Sequence, residues 1–415
     1  MTTDQADAAV LAGIRVIEMA NWVAGPSAGA IMADLGADVI KVEPLGGDGM
    51  RGKLRQASVA DPSAAIDHPF HLANRGKRSI AVDLADPRGS ALVRELIRGA
   101  DVVIANLLPT RLKRYELGPD DVRDLNPRLV YALVTGYGSA GDDADRLGFD
   151  LTAFFGRGAI MSLIGEPDAP PPQFRPGQGD QSTALALLSG ILAALLMRER
   201  TGEGQVVETA LMRTAAWTIG IDVSIALVDR HQPKRRSRIE PVSAIHNAYR
   251  CADGVWLNLQ AQDLRLWPSL CEAVGRPELA TDERFATPAA RFYNATQLVS
   301  ILDAQFASRP VTEWAPLLDA TGIVWSRVAQ LADLVDDPQA RVNGMFVPVE
   351  HPTAGRFDTL AAPFTLSVSP PAVGACGPEI GEHTNEVLTE LGLAAGEIAE
   401  LIRTGVIGAR LTKPA

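Results

Sequence analysis

A chain of 415 residues, 47% hydrophobic and 21% charged, is long enough for two domains and carries apolar material for a sizeable core. Its formal charge of -11 disfavours nucleic acid or an anionic membrane surface as a partner engaged through the overall field, so an anionic ligand would need a local group of cations. Three scattered cysteines, Cys251, Cys271 and Cys376, argue against a disulfide framework and a cysteine zinc site, and the lack of a long uncharged apolar run or a basic-then-apolar leader predicts a cytoplasmic protein.

Gly13–Met19 (GIRVIEM) reads as a strand, and Ala28, Ile31, Met32 and Leu35 then follow helical spacing. A strand at Asp38–Glu43 comes next, then strands at Ile80–Leu84, Asp101–Ile104 and Leu129–Val134, with a helix at Pro87–Arg98. This alternation predicts an α/β fold with a parallel sheet covered by helices. Gln181–Arg200 is rich in Ala and Leu and predicts a long buried helix on which Leu185, Leu188, Leu192 and Leu195 share a face. The basic stretch His231–Arg238 marks the exit from the first domain, so residues 1–228 form the N-terminal part of a large domain. A smaller mixed domain follows over 229–335, with a strand at Gly254–Gln260 and helices at Leu264–Val274 and Asn294–Ala307. Residues 336–415, ending in a helix over Asn385–Leu401, return to the large domain.

Three groups of residues stand out. The strand, turn, helix and strand over Gly13–Glu43 imitates a dinucleotide fingerprint, but the turn Ala24-Gly25-Pro26-Ser27 lacks G-x-G-x-x-G, and Pro26 removes a backbone N–H. Its glycines then serve close packing of helix on sheet. Cations gather at Lys41, Arg51, Lys53, Arg75, Lys77, Arg78 and Arg111–Arg114, which would suit phosphates but more commonly form a solvated face. Gly177-Gln178-Gly179-Asp180 precedes the long helix, so Asp180 is either a cap or a reactive carboxylate that the helix dipole keeps ionised. The glycines would admit a bulky substrate. His68 and His71 have no third ligand nearby, so the run His-Pro-Phe-His reads as a loop and no metal is expected.

Taken in order, GPSAGAIMADLGADVIKVE (Gly25–Glu43), NRGKRSIAVDL (Asn74–Leu84), ADVVIANLLP (Ala100–Pro109), TGYG (Thr135–Gly138), GDQSTALALLSGILAALLMRERTGEGQVVETAL (Gly179–Leu211) and PEIGEHTNEVL (Pro378–Leu388) resemble the family III CoA-transferases, the CaiB/BaiF family. The resemblance implies an interlocked homodimer, each chain with a Rossmann-like large domain and a smaller α+β domain. It implies an acyl-CoA donor and a carboxylic acid acceptor, with the coenzyme A thioester as substrate and no tightly bound cofactor. It also makes Asp180, beside Gly179, the nucleophile, and it places CoA against Val23, Ala24, Asn106 and Arg114. Pro44, Ala85 and Thr135 stand where members carry basic residues, which leaves Lys41, Arg75, Lys77 or Arg111 for the phosphates. Attack by the carboxylate on the thioester would give a mixed anhydride and then an aspartyl-CoA thioester.

The same superfamily holds α-methylacyl-CoA racemases, whose Gly-His-Asp triplet is Gly148-Phe149-Asp150 here, and whose glutamate falls near Asp263. Phenylalanine cannot carry a proton, which weakens that reading. The stretch Ser243–Arg250 has no glycine-rich lid of the oxalate-linked type. Other acyl-CoA isomerases or lyases, and a non-catalytic CoA-binding subunit, remain as alternatives.

Overall fold

The computed structural model describes residues 9–53, 66–261, 264–352 and 355–409. It divides into two compact units, one built from residues up to Ile160, Phe174–Val228 and the chain from Arg341, the other from Met161–Gln173 and Asp229–Ala340. The chain leaves the first unit after Val228 and returns to it at Arg341. The short excursion Met161–Gln173 has no local signal, since its membership depends on tertiary contact alone.

The first unit opens with β1 (Arg15–Met19), α1 (Ala24–Asp34), β2 (Asp38–Glu43), α2 (His68–Asn74), β3 (Arg78–Val82), α3 (Pro87–Arg98), β4 (Val102–Ala105), α4 (Pro109–Tyr115) and β5 (Val130–Thr135). It continues through α5 (Gln178–Thr201), β6 (Val206–Ala210), α6 (Leu211–Thr218) and α7 (Gly220–Asp229). The hydrogen-bonded order β3-β2-β1-β4-β5-β6 is parallel throughout. Strands such as VVIA and VYALVT bury every residue, as strands covered on both faces must. The order reverses between β1 and β4, and the crevice at the carboxyl ends of those two strands is where such sheets receive ligands.

Ala28, Ile31, Met32 and Leu35 are buried against this sheet, as their spacing predicts. On α5 the buried stripe is Ala184, Leu187, Leu188, Ile191, Ala194 and Leu195, and Leu185, Leu196 and Met197 face outward. The helix is thus half-exposed in the single chain, because leucine lies on all its sides and composition alone does not set the phase. By length and composition α5 could cross a membrane, yet its apolar stripe packs on the sheet core.

In the second unit β7 (His246–Arg250), β8 (Trp256–Gln260) and β9 (Val324–Arg327) form an antiparallel sheet. Its core includes Phe285, Phe306 and Trp314. The hairpin β10 (Phe346–His351) and β11 (Gly355–Leu360) belongs to the first unit, as does the tail. The tail holds two helices, α8 (Thr384–Glu390) and α9 (Ala395–Arg403), instead of one. Gly392, at φ 95°, takes the left-handed conformation that ends the first of them. Strand β12 (Ile407–Gly408) then pairs antiparallel with β3 and completes the seven-stranded sheet.

Candidate active site

The turn after β1 is held by buried charge. Lys41 on β2 is fully buried and donates to Ala20 O at 2.7 Å and Glu18 at 3.0 Å, with Asp48 at 2.8 Å. Burial alone would depress its pKa, but Glu18 and Asp48 outweigh that and raise it. Lys77 meets Glu18 at 2.7 Å and donates to Pro26 O, Ala73 O and Asn74 Oδ1. Burial pulls it down to about 8 despite Glu18. Arg75 is buried against Asp34 at 2.6 Å. Lys41, Arg75 and Lys77 are therefore structural ions with no face open to a phosphate, which corrects the expectation for all three. The reason is chemical: each is neutralised by a carboxylate from a different strand or helix, and losing one partner would strand a buried charge. Gly29 belongs to this arrangement, since a Cβ there would lie 2.1 Å from Glu18 Oε2.

Beyond the cluster, Asn21 and Asn106 close the switch point. The Asn21 N–H donates to Asn106 Oδ1 at 3.0 Å, and Asn106 Nδ2 donates to Asn21 O at 2.7 Å. Both line a cavity with Trp22, Ala24, Leu108, Arg111, Leu147, Phe149 and Asp180. A second cavity runs across the ends of β1, β2 and β3, bounded by Met19, Pro44, Val82, Ala85 and Tyr115. The two share Asn21, Leu107 and Arg111, so they adjoin along that line. Arg111 is exposed and, among the described residues, forms no ion pair. Arg114 is exposed outside both cavities, and the Val23 side chain is buried with Met50 and Ala73. Of the predicted contacts, Ala24, Asn106, Arg111 and Asp180 are brought together. Asn21, Trp22, Arg146 and Leu147 also line the cavity and carried no motif of their own.

Asp180 sits in the first turn of α5, after Gly177 at φ 99°, a conformation that favours glycine. Its carboxyl is half-buried, and none of the hydrogen bonds among the described residues ends on it. Burial, reinforced by the nearby Asp150, raises its pKa to about 7. The helix dipole was expected to keep this group ionised; loss of water and a second carboxylate act in the opposite direction. Asp150 is itself buried and accepts from the Gly177 N–H, so one carboxylate both ties down the turn before α5 and opposes charge on Asp180. Packing requires Gly179 as well: a Cβ there would lie 2.5 Å from the Phe154 ring. His68 and His71 lie in α2, not a loop, with rings against Phe357 and His351. Gln262 and Asp263, considered as a proton-transfer position, lie outside the described residues.

A sheet in Rossmann strand order, with a carboxyl that accepts no hydrogen bond among the described residues beside its switch point, defines an α/β protein with a candidate site at the carboxyl ends of its strands. The family model of CoA-transferase family III matches residues 11–384, and the chain belongs to that family. It is 34% identical to the succinate–glutarate CoA-transferase of Agrobacterium fabrum over 92% of this chain and 95% of that one. It is also 34% identical to the formyl-CoA:oxalate CoA-transferase of Streptomyces avermitilis, over 96% and 99%. Among solved structures, a CAIB/BAIF family protein from Brucella suis superposes with a TM-score of 0.80 at 32% identity, covering 91% of this chain and 98% of that one.

Proposed function

We propose that this enzyme moves coenzyme A from an acyl-CoA to a free carboxylic acid, with Asp180 as the nucleophile. The observation that carries the reading is the Asp180 carboxyl, half-buried, free of hydrogen bonds among the described residues and open to the cavity at the switch point. The second cavity suits the nucleotide end of CoA, leaving the pantetheine arm to pass Asn21 and Leu107 toward Asp180. An Asp180 oxygen attacks the thioester carbonyl and the thiolate leaves, giving a mixed anhydride. The thiolate attacks the aspartyl carbonyl and releases the donor acid, leaving an aspartyl-CoA thioester. The acceptor carboxylate then attacks that carbonyl and expels the thiolate, which takes the new acyl group and frees Asp180. Unpaired N–H groups of the first turn of α5 can stabilise charge on the attacked oxygens.

Among the described residues Arg111 borders both cavities and forms no ion pair, which suits it to meet the phosphates. Arg111→Gln is expected to raise the KM for acyl-CoA by about tenfold while kcat changes little, because a charge-assisted hydrogen bond made equally in ground and transition states is lost. Steady-state kinetics with varied acyl-CoA checks this. A second copy of the chain is supported by α7, a largely apolar helix that buries none of its residues, and by Trp217, Ile221 and Val228, each more than 80% exposed. The reading as a whole is tested by mixing acyl-CoA donors with free acids and separating the products. Exchanged thioester is the expected result; acyl-CoA binding without exchange across a broad panel contradicts it.

A further inference from the structure

We propose that Trp22 and Phe149 form a wall that seats the acyl group of the exchanged acids and selects apolar aryl or branched-alkyl acids over short dicarboxylates. This rests on the reading of Asp180 as the group that receives the acyl carbon. The two rings meet edge to face, centroids 5.4 Å apart at 83°, and both line the cavity that contains Asp180. Phe149 is 51% exposed, Trp22 37% and the neighbouring Leu147 73%, an apolar surface left open beside a reactive carboxyl.

The position of Trp22 is imposed. Its φ of 68° lies in the left-handed region, which a bulky residue enters only when its surroundings require it. The Trp22 N–H donates to Asp48 Oδ1 at 3.0 Å, and Asp48 is fixed in turn by Lys41. The indole lies on Gly49, where a Cβ would come 3.2 Å from the ring. The buried ion cluster thus takes part in the site indirectly, by turning an aromatic ring into it.

The charges among the described residues oppose the alternative substrate. Among the described residues the cations lining this cavity are Arg111 and Arg146. Arg111 borders the second cavity, and Arg146 already meets Asp143 at 3.3 Å. A distal carboxylate would instead meet the Asp180 carboxyl, and among the described residues the unpaired cation of this lining, Arg111, is engaged by the coenzyme end in this reading.

The test is calorimetric titration of benzoyl-CoA, succinyl-CoA and CoA into Asp180→Asn, which separates binding from turnover. Benzoyl-CoA is expected to bind about tenfold tighter than succinyl-CoA. Phe149→Ala in the same background should reduce that ratio to about threefold or less, as should Trp22→Gly, whose glycine keeps the left-handed turn without strain. Succinyl-CoA binding as tightly as benzoyl-CoA, or a ratio unmoved by both substitutions, overturns the inference. A benzoyl preference in a protein that exchanges no thioester leaves the wall standing and removes the transferase reading instead.

Discussion

Asp180→Ala is expected to lower CoA exchange by at least about a thousandfold, because the covalent route is lost and no neighbouring group can replace it. Asp150, the other carboxylate at hand, is buried and occupied by the Gly177 N–H. Asp180→Asn should fail equally, since an amide of the same shape is a far weaker nucleophile. The two variants differ from a merely misfolded protein in their stability. The folded state holds the Asp180 proton up to about 7, whereas the unfolded chain releases it near 3.8. Above the lower value the unfolded state binds fewer protons, so the parent loses stability as pH rises between the two and has lost all of that contribution above about 7. Asp180→Asn has no such loss. A sealed site would make the difference at alkaline pH about 4 kcal/mol. Solvent reaching the half-buried carboxyl reduces it to on the order of 2 kcal/mol. Melting curves should therefore agree near pH 4 and separate in favour of the variant at pH 8.

The second large effect concerns pH and rate. Only ionised Asp180 attacks a thioester, so kcat/KM should climb about tenfold per pH unit below 7 and level off above it. Asp150→Asn keeps an oxygen to accept the Gly177 N–H but removes the opposing charge. The rise should then move to lower pH without reaching the ordinary carboxylate range, because burial, the larger cause of the shift, is unchanged. A purely structural role for Asp150 predicts lower rates at every pH and an unmoved profile. The rate of product formation across pH 5 to 9 in both proteins separates the two outcomes.

The sheet was legible because its strands are short apolar runs separated by helical spacing, and a strand buried on both faces announces itself. Asp180 was legible as the residue opening a long Ala/Leu helix. The cations were misread for a physical reason: Lys41, Arg75 and Lys77 stand in sequence like a phosphate site, and only the fold brings Glu18 and Asp34 against them. The pKa of Asp180 was likewise hidden, since it depends on Asp150, thirty positions away, and on burial that no local pattern records. Trp22 carried no motif at all; its importance lies in a backbone angle and a buried carboxylate, neither visible in one-dimensional spacing. Phe149 was noted for the histidine it replaces, and the structure adds what the ring does instead, which is to meet Trp22 beside the reactive carboxyl.

The most direct measurement is covalent. The enzyme is incubated with an acyl-CoA, quenched with hydroxylamine and digested, and the peptide containing Asp180 is examined by mass spectrometry. The account predicts conversion of Asp180 to its hydroxamate only when acyl-CoA is present. Exchange that proceeds with Asp180 unmodified under conditions that trap the intermediate elsewhere, or that survives Asp180→Ala, would contradict it.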